Sequence, residues 1–198
     1  LFGNFEVIEL APFNFSEVTE QLKNKVDFID APVTGSTPKA KTGELTIFVG
    51  GKKEVYEKIK PVLLAMGKNI HYVGPTGSGQ AIKMINNQVI ATTIQAVMEG
   101  MLLADAMGLD RKKAAEILKT VPAFSFMMNL KLPNYVENKF PLLFSTANMK
   151  KDLELAYFEM KKGGKNLPVL KKLIEIYKKA TKAGLSHKDF ASIIKIID

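Results

Sequence analysis

Short apolar runs separated by turn residues dominate the first eighty positions of the chain. Four of these runs carry the β-branched and aromatic residues typical of strands, and they occupy residues 5–10, 26–30, 45–49 and 69–73. Pro32 is expected to end the second strand. Helices are expected at about 16–22 and 53–67, the latter with a second segment opened by Pro61 and an end at Gly67. Strands and helices that alternate at this spacing predict an α/β sheet.

The strand pattern stops after Gly79, and helical periodicity follows. The longest predicted helix, about 80–107, has apolar residues around most of its circumference, so we expect a buried spine with one face covered by a second subunit. Shorter helices are expected at about 110–120, at 152–161, from 168 onward and, after a capping box of Ser186 and Asp189, at the end of the chain. We therefore predict two domains, residues 1–79 and residues 80–198, and the second is all-α.

The composition excludes several kinds of site. The chain has 198 residues, of which 46% are hydrophobic, and no cysteine. Because it has no cysteine, we expect no disulfide and no thiolate nucleophile. Its two histidines lie far apart in sequence, so we also expect no metal site. Polar residues interrupt the most apolar stretch, about 84–107, so we expect a buried helix and no membrane partner. The absence of cysteine is compatible with the cytoplasmic location that we expect.

The net charge of +8 raises the hypothesis of a nucleic-acid partner. Nearly all of the positive charge is lysine beside glutamate on predicted helices, and Arg111 is the only arginine. Nucleic-acid readers favour arginine because of its bidentate and stacking contacts. We therefore expect no nucleic-acid partner, although a positive potential attracts anionic cofactors and carboxylate substrates.

The first motif spans residues 30–36, with the sequence Asp-Ala-Pro-Val-Thr-Gly-Ser. It is a strand that leads into a glycine-containing loop. Gly35 allows the backbone to approach a ligand closely, and Thr34 and Ser36 supply hydroxyl groups beside it. Such a loop suits a substrate carboxylate, but it is also typical of an ordinary turn between a strand and a helix.

The second motif begins with the glycine-rich stretch 74–79 and continues through Lys83 and Asn87. Glycines before a helix N-terminus favour anion binding. Lys83 and Asn87 are four residues apart and share one face of a largely apolar helix. A lysine in that setting either extends to solvent or acts as an acid or base.

The third motif contains Phe144 and the stretch Lys151-Asp152-Leu153, which is expected to begin a helix. An aspartate at the start of a helix is usually a cap, so this motif alone indicates little.

Together, in order and separation, the three motifs resemble those of the β-hydroxyacid dehydrogenases of the 3-hydroxyisobutyrate dehydrogenase family, over nearly the whole chain. The resemblance implies hydride transfer between NAD or NADP and a small carboxylate substrate, with Lys83 as the catalytic lysine. It also implies homodimers or homotetramers formed through the α-domain. The residues that it assigns to the substrate are Thr34, Gly35, Ser36, Asn87, Phe144 and Asp152, and those that it assigns to the cofactor are Lys151 and Pro12.

The fold implied by the resemblance is the later part of a Rossmann-type sheet, followed by a helical domain that is entered through a long helix. No Gly-x-Gly-x-x-Gly turn follows a strand in this sequence, and such a sheet normally begins with that turn. At about 30 residues per βαβ unit, we expect roughly ninety residues to precede Leu1. The 198-residue chain by itself is then expected to bind the cofactor weakly or not at all.

Three positions depart from the family pattern. Thr34 replaces a serine and adds a methyl group, while Ser36 replaces a glycine and makes the loop less free. Pro12 stands where the family has a threonine that contacts the nicotinamide side, and proline offers neither a hydroxyl nor an N–H group. The cofactor contact near Pro12 is therefore expected to differ from that of the family.

Other functions remain open at this stage. The 6-phosphogluconate dehydrogenases share the architecture but typically carry histidine at the position of Asn86, so the enzymes for smaller acids are favoured. A dehydrogenase-like binding or scaffold module without catalysis is a second alternative, and a basic all-α nucleic-acid domain is a third. The sequence distinguishes neither NAD from NADP nor one small hydroxyacid from another.

Overall fold

The computed structural model describes residues 6–9 and 27–197. Five strands form one sheet in these residues, and they are β1 (Glu6–Glu9), β2 (Asp27–Asp30), β3 (Val33–Thr34), β4 (Leu45–Gly51) and β5 (Gly67–Gly74). β1 is parallel to β2 and β5 is parallel to β4, but β2 and β3 both run antiparallel to β4. The sheet is therefore mixed. The helix expected at 16–22 lies outside the described residues.

The second predicted strand ends before Pro32, as expected, since β2 ends at Asp30. The N–H of Phe48 donates to the carbonyl of Pro32 at 3.0 Å, because proline lacks a donor but keeps its acceptor. Pairing with β4 therefore continues past the proline into β3, where Thr34 is the partner of Thr46. Thr34, which we expected in a loop, lies at the end of a strand.

Two helices belong to this part of the chain, α1 (Ser36–Lys41) and α2 (Lys53–Leu64). α2 connects β4 to the parallel strand β5, and it buries one face against the sheet through Val55, Tyr56, Ile59 and Leu63. Pro61 lies inside this single helix, on its exposed side, and opens no second segment. Gly67 begins β5 instead of ending the helix, so both predictions were wrong.

Helices form the remainder of the described chain. They are α3 (Ser78–Ala106), α4 (Arg111–Leu118), α5 (Phe126–Val136), α6 (Thr146–Lys162) and α7 (Pro168–Ala180), followed by a π-helical turn (Thr181–Leu185) and a 3₁₀ helix (Phe190–Ile196). The side chain of Asp110 accepts the N–H of Lys113 at 2.8 Å and caps α4, as predicted. The change to helical structure after the sheet is confirmed up to residue 197.

Three predictions for the helical part need correction. α5 was not predicted, because its apolar residues show no clear period and Pro133 interrupts them. α6 begins at Thr146 and not at Asp152, since the hydroxyl of Ser145 accepts the N–H of Asn148 at 3.2 Å and caps the helix there. The last helix is capped by Asp189, which accepts the N–H of Ala191 at 3.0 Å, and not by Ser186.

The chain forms two compact units, residues 1–86 and residues 87–198, and α3 contributes to both. The first has its core between α2 and the strands β2 and β4. The second has a larger core, built by α3, α5, α6, α7 and the 3₁₀ helix. The domain boundary that we expected at residue 79 remains a prediction.

α3 is the one helix of the described residues that is long and apolar enough to cross a membrane, by length and composition alone. Its most apolar window has a mean hydropathy of 1.3, and 39% of that window is buried inside this chain. The buried residues include Ile94, Met98 and Met101, which belong to the helical core. The core helix of a soluble protein satisfies the same criteria.

Candidate active site

Asp30, at the end of β2, anchors the beginning of α3. Its side chain is fully buried, and its carboxylate accepts the N–H of Gly77 at 2.6 Å and that of Gln80 at 2.8 Å. Burial raises the pKa of Asp30, and the backbone hydrogen bonds oppose that shift. A helix N-terminus favours a negative charge. In this protein the chain itself supplies that charge, through Asp30.

Two glycines make room for this contact. A Cβ atom on Gly50 would lie 2.5 Å from Oδ1 of Asp30 and 2.8 Å from the backbone nitrogen of Gly79. A Cβ atom on Gly79 would lie 2.5 Å from the carbonyl oxygen of Phe48. The glycines of the second motif therefore serve the close approach of α3 to β4 and to Asp30.

Lys83 follows Gln80 by three residues on α3, and only 8% of it is exposed. Lysine is rarely so deeply buried unless it has a partner or a chemical role. In the same unit, Thr34 ends β3, and Gly35 (φ 134°) and Ser36 (φ 59°) turn the chain into α1. Ser36 thus takes the left-handed conformation at the position where the resembled motif has glycine, and a residue with a Cβ atom is strained there.

In the second unit, Asn87 and Asp152 form a buried hydrogen bond. The side-chain nitrogen of Asn87 donates to Oδ2 of Asp152 at 2.6 Å, and the two residues are 4% and 2% exposed. Nζ of the half-exposed Lys151 lies 3.4 Å from the other carboxylate oxygen. An ionised carboxylate can only accept hydrogen bonds, so it fixes which end of the Asn87 amide faces it. Lys151 and Asp152 lie in the second turn of α6 and not at its start.

Phe144 precedes α6 and is held by the C-terminal part of the chain. Its ring meets that of Phe190 edge-on, with centroids 6.4 Å apart, and its N–H lies 3.5 Å from Oδ2 of Asp189. The other oxygen of Asp189 lies 2.7 Å from Nζ of Lys131, and both side chains are fully buried. This ion pair therefore fixes the segment that leads into α6.

The described site residues form two groups. Thr34, Gly35, Ser36 and Lys83 belong to the first unit, and Asn87, Phe144, Lys151 and Asp152 belong to the second. The structure brings Asn87, Lys151 and Asp152 into contact, and it leaves Phe144 beside Phe190. Pro12 lies outside the described residues.

Sequence reasoning missed the contacts of three residues that organise these groups. Asp30 is the first residue of the first motif, but we interpreted that motif only as a loop. Lys131 and Asp189 are separated by 58 residues, and no local pattern connects them. A lysine at a core position of α5 is the one indication in the sequence, and it becomes visible only once that helix is recognised.

Family comparisons match almost the whole chain. A model described as the NAD-binding of NADP-dependent 3-hydroxyisobutyrate dehydrogenase matches residues 77–197, and one described as the NAD binding domain of 6-phosphogluconate dehydrogenase matches residues 11–74. The 2-(hydroxymethyl)glutarate dehydrogenase of Eubacterium barkeri is 34% identical over 86% of this chain and 57% of its own length. The 2-hydroxy-3-oxopropionate reductase of Escherichia coli K12 is 33% identical over 87% of this chain and 59% of its own length.

A solved structure of Mycobacterium tuberculosis 3-hydroxyisobutyrate dehydrogenase with L-serine has the same fold. Its TM-score is 0.87 at 28% identity, over 97% of this chain and 69% of that one. This likeness confirms the predicted fold class, the later strands of a Rossmann-type sheet followed by a helical domain. The chain spans little more than half the length of the curated relatives, 57% and 59% in the two cases above.

Proposed function

Because the chain belongs to the 3-hydroxyisobutyrate dehydrogenase family of β-hydroxyacid dehydrogenases, we propose that the protein that contains it is an NAD(P)-dependent oxidoreductase. Its reaction is reversible hydride transfer between nicotinamide and a small β-hydroxyacid or the corresponding semialdehyde. The observation that carries the proposal is the buried amide of Asn87, which donates to Asp152 at 2.6 Å. Asn87 lies on the same helix as Lys83. An oriented amide close in sequence to a buried lysine is suited to hold a hydroxyl or carbonyl oxygen.

Lys83 is the proposed acid and base. In the oxidative direction, its neutral amine takes the proton of the substrate hydroxyl while the C–H bond of that carbon releases a hydride and a carbonyl forms. In the reductive direction, its ammonium group returns the proton to the oxygen, and its positive charge stabilises the negative charge that develops there. NAD or NADP accepts or supplies the hydride when bound.

The other residues orient the substrate. We assign its carboxylate to the Thr34–Ser36 segment and its reacting oxygen to Asn87, with Phe144 as an apolar neighbour. Asp152 acts on Asn87, because its carboxylate fixes the direction of the amide. Orientation before the transfer is worth several kcal/mol of the barrier, about 7–11 in the most favourable systems.

The described residues fit only part of a dinucleotide. The half-exposed Lys151 suits its anionic groups, and Pro12 is assigned to the nicotinamide side by the resemblance alone. The glycine-rich turn 74–79 does not suit the phosphates, because the N–H groups of Gly77 and Gln80 already bond to Asp30. We therefore assign no phosphate contact to the N–H groups of Gly77 and Gln80.

The full-length protein tests this function directly. It should oxidise or reduce one of the acids named for its relatives (2-(hydroxymethyl)glutarate, 2-hydroxy-3-oxopropionate, glyoxylate, succinic semialdehyde, L-serine or 3-hydroxyisobutyrate), as followed by nicotinamide absorbance with each coenzyme. Lys83→Ala should abolish turnover and leave coenzyme binding intact, whereas Lys112→Ala, an exposed lysine on α4, should change neither. A loss of kcat below about tenfold, roughly 1.4 kcal/mol, in Lys83→Ala would show that the acid–base role is wrong.

Two alternatives are decided by the same assays. Activity with 6-phosphogluconate would favour the larger sugar acids, a possibility that the match of residues 11–74 supports and Asn86 opposes. A full-length protein that binds neither coenzyme in calorimetry would favour a binding or scaffold module. Pro12, which offers neither a hydroxyl nor an N–H group, favours an unusual substrate or a weakened enzyme.

We further propose that a second copy of the chain covers one face of α3, in a homodimer or homotetramer. Val89, Leu103 and Met107 are 53%, 61% and 68% exposed in the chain by itself. Leu103→Asp and Met107→Asp should therefore reduce the assembly to folded monomers in sedimentation experiments. Met101→Asp is the contrasting variant, since Met101 is fully buried in the chain's own core and its replacement should unfold the protein.

We also propose a cytoplasmic location, which cell fractionation tests.

A further inference from the structure

We propose that Asp30 is a positioning residue for catalysis, which sets the place of Lys83 relative to the Thr34–Ser36 segment without contacting the substrate. The inference rests on the proposed acid–base role of Lys83. Asp30 and Thr34 belong to consecutive strands that pair with β4, whereas Lys83 belongs to α3. The carboxylate of Asp30 is a hydrogen-bonded link between β2 and the start of α3.

The link is bidentate. Oδ1 of Asp30 accepts the N–H of Gly77, just before α3, and Oδ2 accepts the N–H of Gln80, within its first turn. Two bonds to amides on different parts of the turn restrain both the rotation of the helix and its translation along its axis. The cap of α4 is weaker in this respect, because Oδ1 of Asp110 accepts one amide hydrogen, that of Lys113.

The surroundings of the link leave no room for adjustment. Gly79 lies so close to β4 that an added Cβ atom would be 2.5 Å from the carbonyl oxygen of Phe48 and 2.7 Å from Oδ2 of Asp30. Gly50 also lies close to the carboxylate, because a Cβ atom on it would be 2.5 Å from Oδ1 of Asp30. The start of α3 therefore cannot slide along β4 while Asp30 remains in place.

This rigidity bears on the rate of the chemical step. Lys83 lies three residues after Gln80, within the next turn of the helix whose start Asp30 holds. A displacement of about 1 Å of a reacting group can slow a reaction by about a hundredfold. A change at Asp30 should therefore slow proton and hydride transfer and have less effect on binding.

The test is Asp30→Asn in the full-length protein. Asparagine keeps the shape of the side chain but turns one N–H-bearing group toward a backbone N–H, so one of the two bonds is lost. We expect kcat to fall at least about tenfold, the cost of a displacement well below 1 Å. The isotope effect on kcat, measured with substrate deuterated at the hydride position, should rise because chemistry becomes slower than the other steps. A mere loss of folded protein would lower kcat without changing the isotope effect.

A readout without turnover accompanies the kinetics. Hydrogen exchange of the segment 76–84 should become faster in Asp30→Asn, since the amides of Gly77 and Gln80 lose an acceptor. Asp110→Asn is the matched control, an aspartate cap on the next helix, and it should alter neither kcat nor the isotope effect. If Asp30→Asn does not fold, Gly77→Ala takes its place: Gly77 has φ 98°, so a Cβ atom displaces its N–H and leaves the carboxylate intact.

The inference is overturned if a folded Asp30→Asn or Gly77→Ala variant has a kcat within twofold of wild type and an unchanged isotope effect. Failure of the proposed function has a different signature, because Lys83→Ala would then retain its activity. A slower kcat, a raised isotope effect and faster exchange at 76–84, together with an inactive Lys83→Ala, support it.

Discussion

The two units of this chain each bury an aspartate completely, and they stabilise its carboxylate in different ways. Asp30, in the α/β unit, bonds to backbone N–H groups at 2.6 and 2.8 Å, beside glycines that let two backbones approach. Asp189, in the helical unit, lies 2.7 Å from the buried ammonium group of Lys131 and also accepts the N–H groups of Leu143 and Ala191, both at 3.0 Å.

The difference predicts which changes each unit tolerates. A carboxylate held by backbone amides depends on local geometry, so the α/β unit should be sensitive to an added Cβ atom at Gly50 or Gly79. A carboxylate held by a distant side chain depends on charge, so the helical unit should be sensitive to the loss of Lys131. Gly100 of the helical unit illustrates the contrast, because a Cβ atom there would meet nothing within 4 Å.

The largest effect is expected for Lys131→Met. This change leaves the charge of Asp189 buried without its cation, which typically costs about 3–5 kcal/mol in the free energy of unfolding. It also removes the contact between Nζ of Lys131 and the ring of Phe190, 4.8 Å away. Urea denaturation measures the loss.

Lys172→Met provides the control for Lys131→Met. Lys172 pairs with Glu175 at 3.1 Å in an exposed i, i+3 arrangement, and such pairs are worth about 0–1 kcal/mol. If both variants lost the same small free energy, the buried pair of the helical unit would be no more important than a surface pair. The difference between Asp30 and Asp189 would then be one of hydrogen-bond geometry and not of energetic dependence on a buried cation.

A smaller effect, about 1–3 kcal/mol, is expected for Gly79→Ala. The new Cβ atom would overlap the carbonyl oxygen of Phe48 at 2.5 Å, and backbone atoms cannot move aside as a flexible side chain can. Gly163→Ala is the matched change in the helical unit, since its Cβ atom would meet ordinary contacts at 3.5 and 3.7 Å. Equal thermal stability of the two variants would contradict the view that the α/β unit is the one limited by backbone approach.

The same contrast explains how far the sequence predicted the fold. The four predicted strands, the long helix and the cap at Asp110 follow from local patterns, and the structure bears them out. The helix α5 escaped prediction because its apolar residues show no clear period, and the burial of its Lys131 is explained only by Asp189, 58 residues later. The continuation of the sheet past Pro32 likewise depends on a partner, Phe48, that the local pattern does not contain.

The candidate site divides in the same manner. Lys83, Asn87 and the segment 34–36 could be named from motifs, because spacing along one element places residues on a common face. The bond between Asn87 and Asp152 spans 65 residues, and that between Asp30 and Gln80 spans 50, so neither could be derived from spacing. Sequence reasoning thus found the residues proposed to touch substrate, and it missed the contacts that hold them.

The dependence of stability on pH should separate Asp30 from its neighbour Asp27 on the same strand. Burial raises the pKa of Asp30, so its contribution to stability is fully present below the ordinary value of 3.8 and is lost as the pH rises through the raised pKa. The hydrogen bond from Lys52, at 2.7 Å, lowers the pKa of Asp27, so its contribution is present above 3.8 and is lost as the pH falls through the lowered pKa.

Urea denaturation of wild type, Asp30→Asn and Asp27→Asn between about pH 3 and pH 7 tests this contrast. The stability of wild type relative to Asp30→Asn should decrease with rising pH, and that relative to Asp27→Asn should increase. If both stability differences changed with pH in the same direction, the ionised form of the buried Asp30 would be as well stabilised as that of Asp27. The backbone clamp would then fully offset the burial of Asp30.

The smallest expected effect is that of Gly100→Ala, in the last third of α3. Replacing a glycine inside a helix by alanine stabilises it by about 0.5–1 kcal/mol when nothing obstructs the new methyl group. Within this chain a Cβ atom at Gly100 meets nothing within 4 Å, so the monomer should become more stable. Gly100 lies in sequence between Val89 and Leu103, two residues of the exposed face that we assign to a second copy. If that copy packs closely at Gly100, the methyl group obstructs it, and the gain in monomer stability is accompanied by weaker association. Thermal unfolding measured at low and high protein concentration distinguishes the two cases. A gain in stability that shrinks or reverses at high concentration indicates close packing at Gly100. A gain in stability that is the same at both concentrations indicates that this part of α3 stays open to solvent.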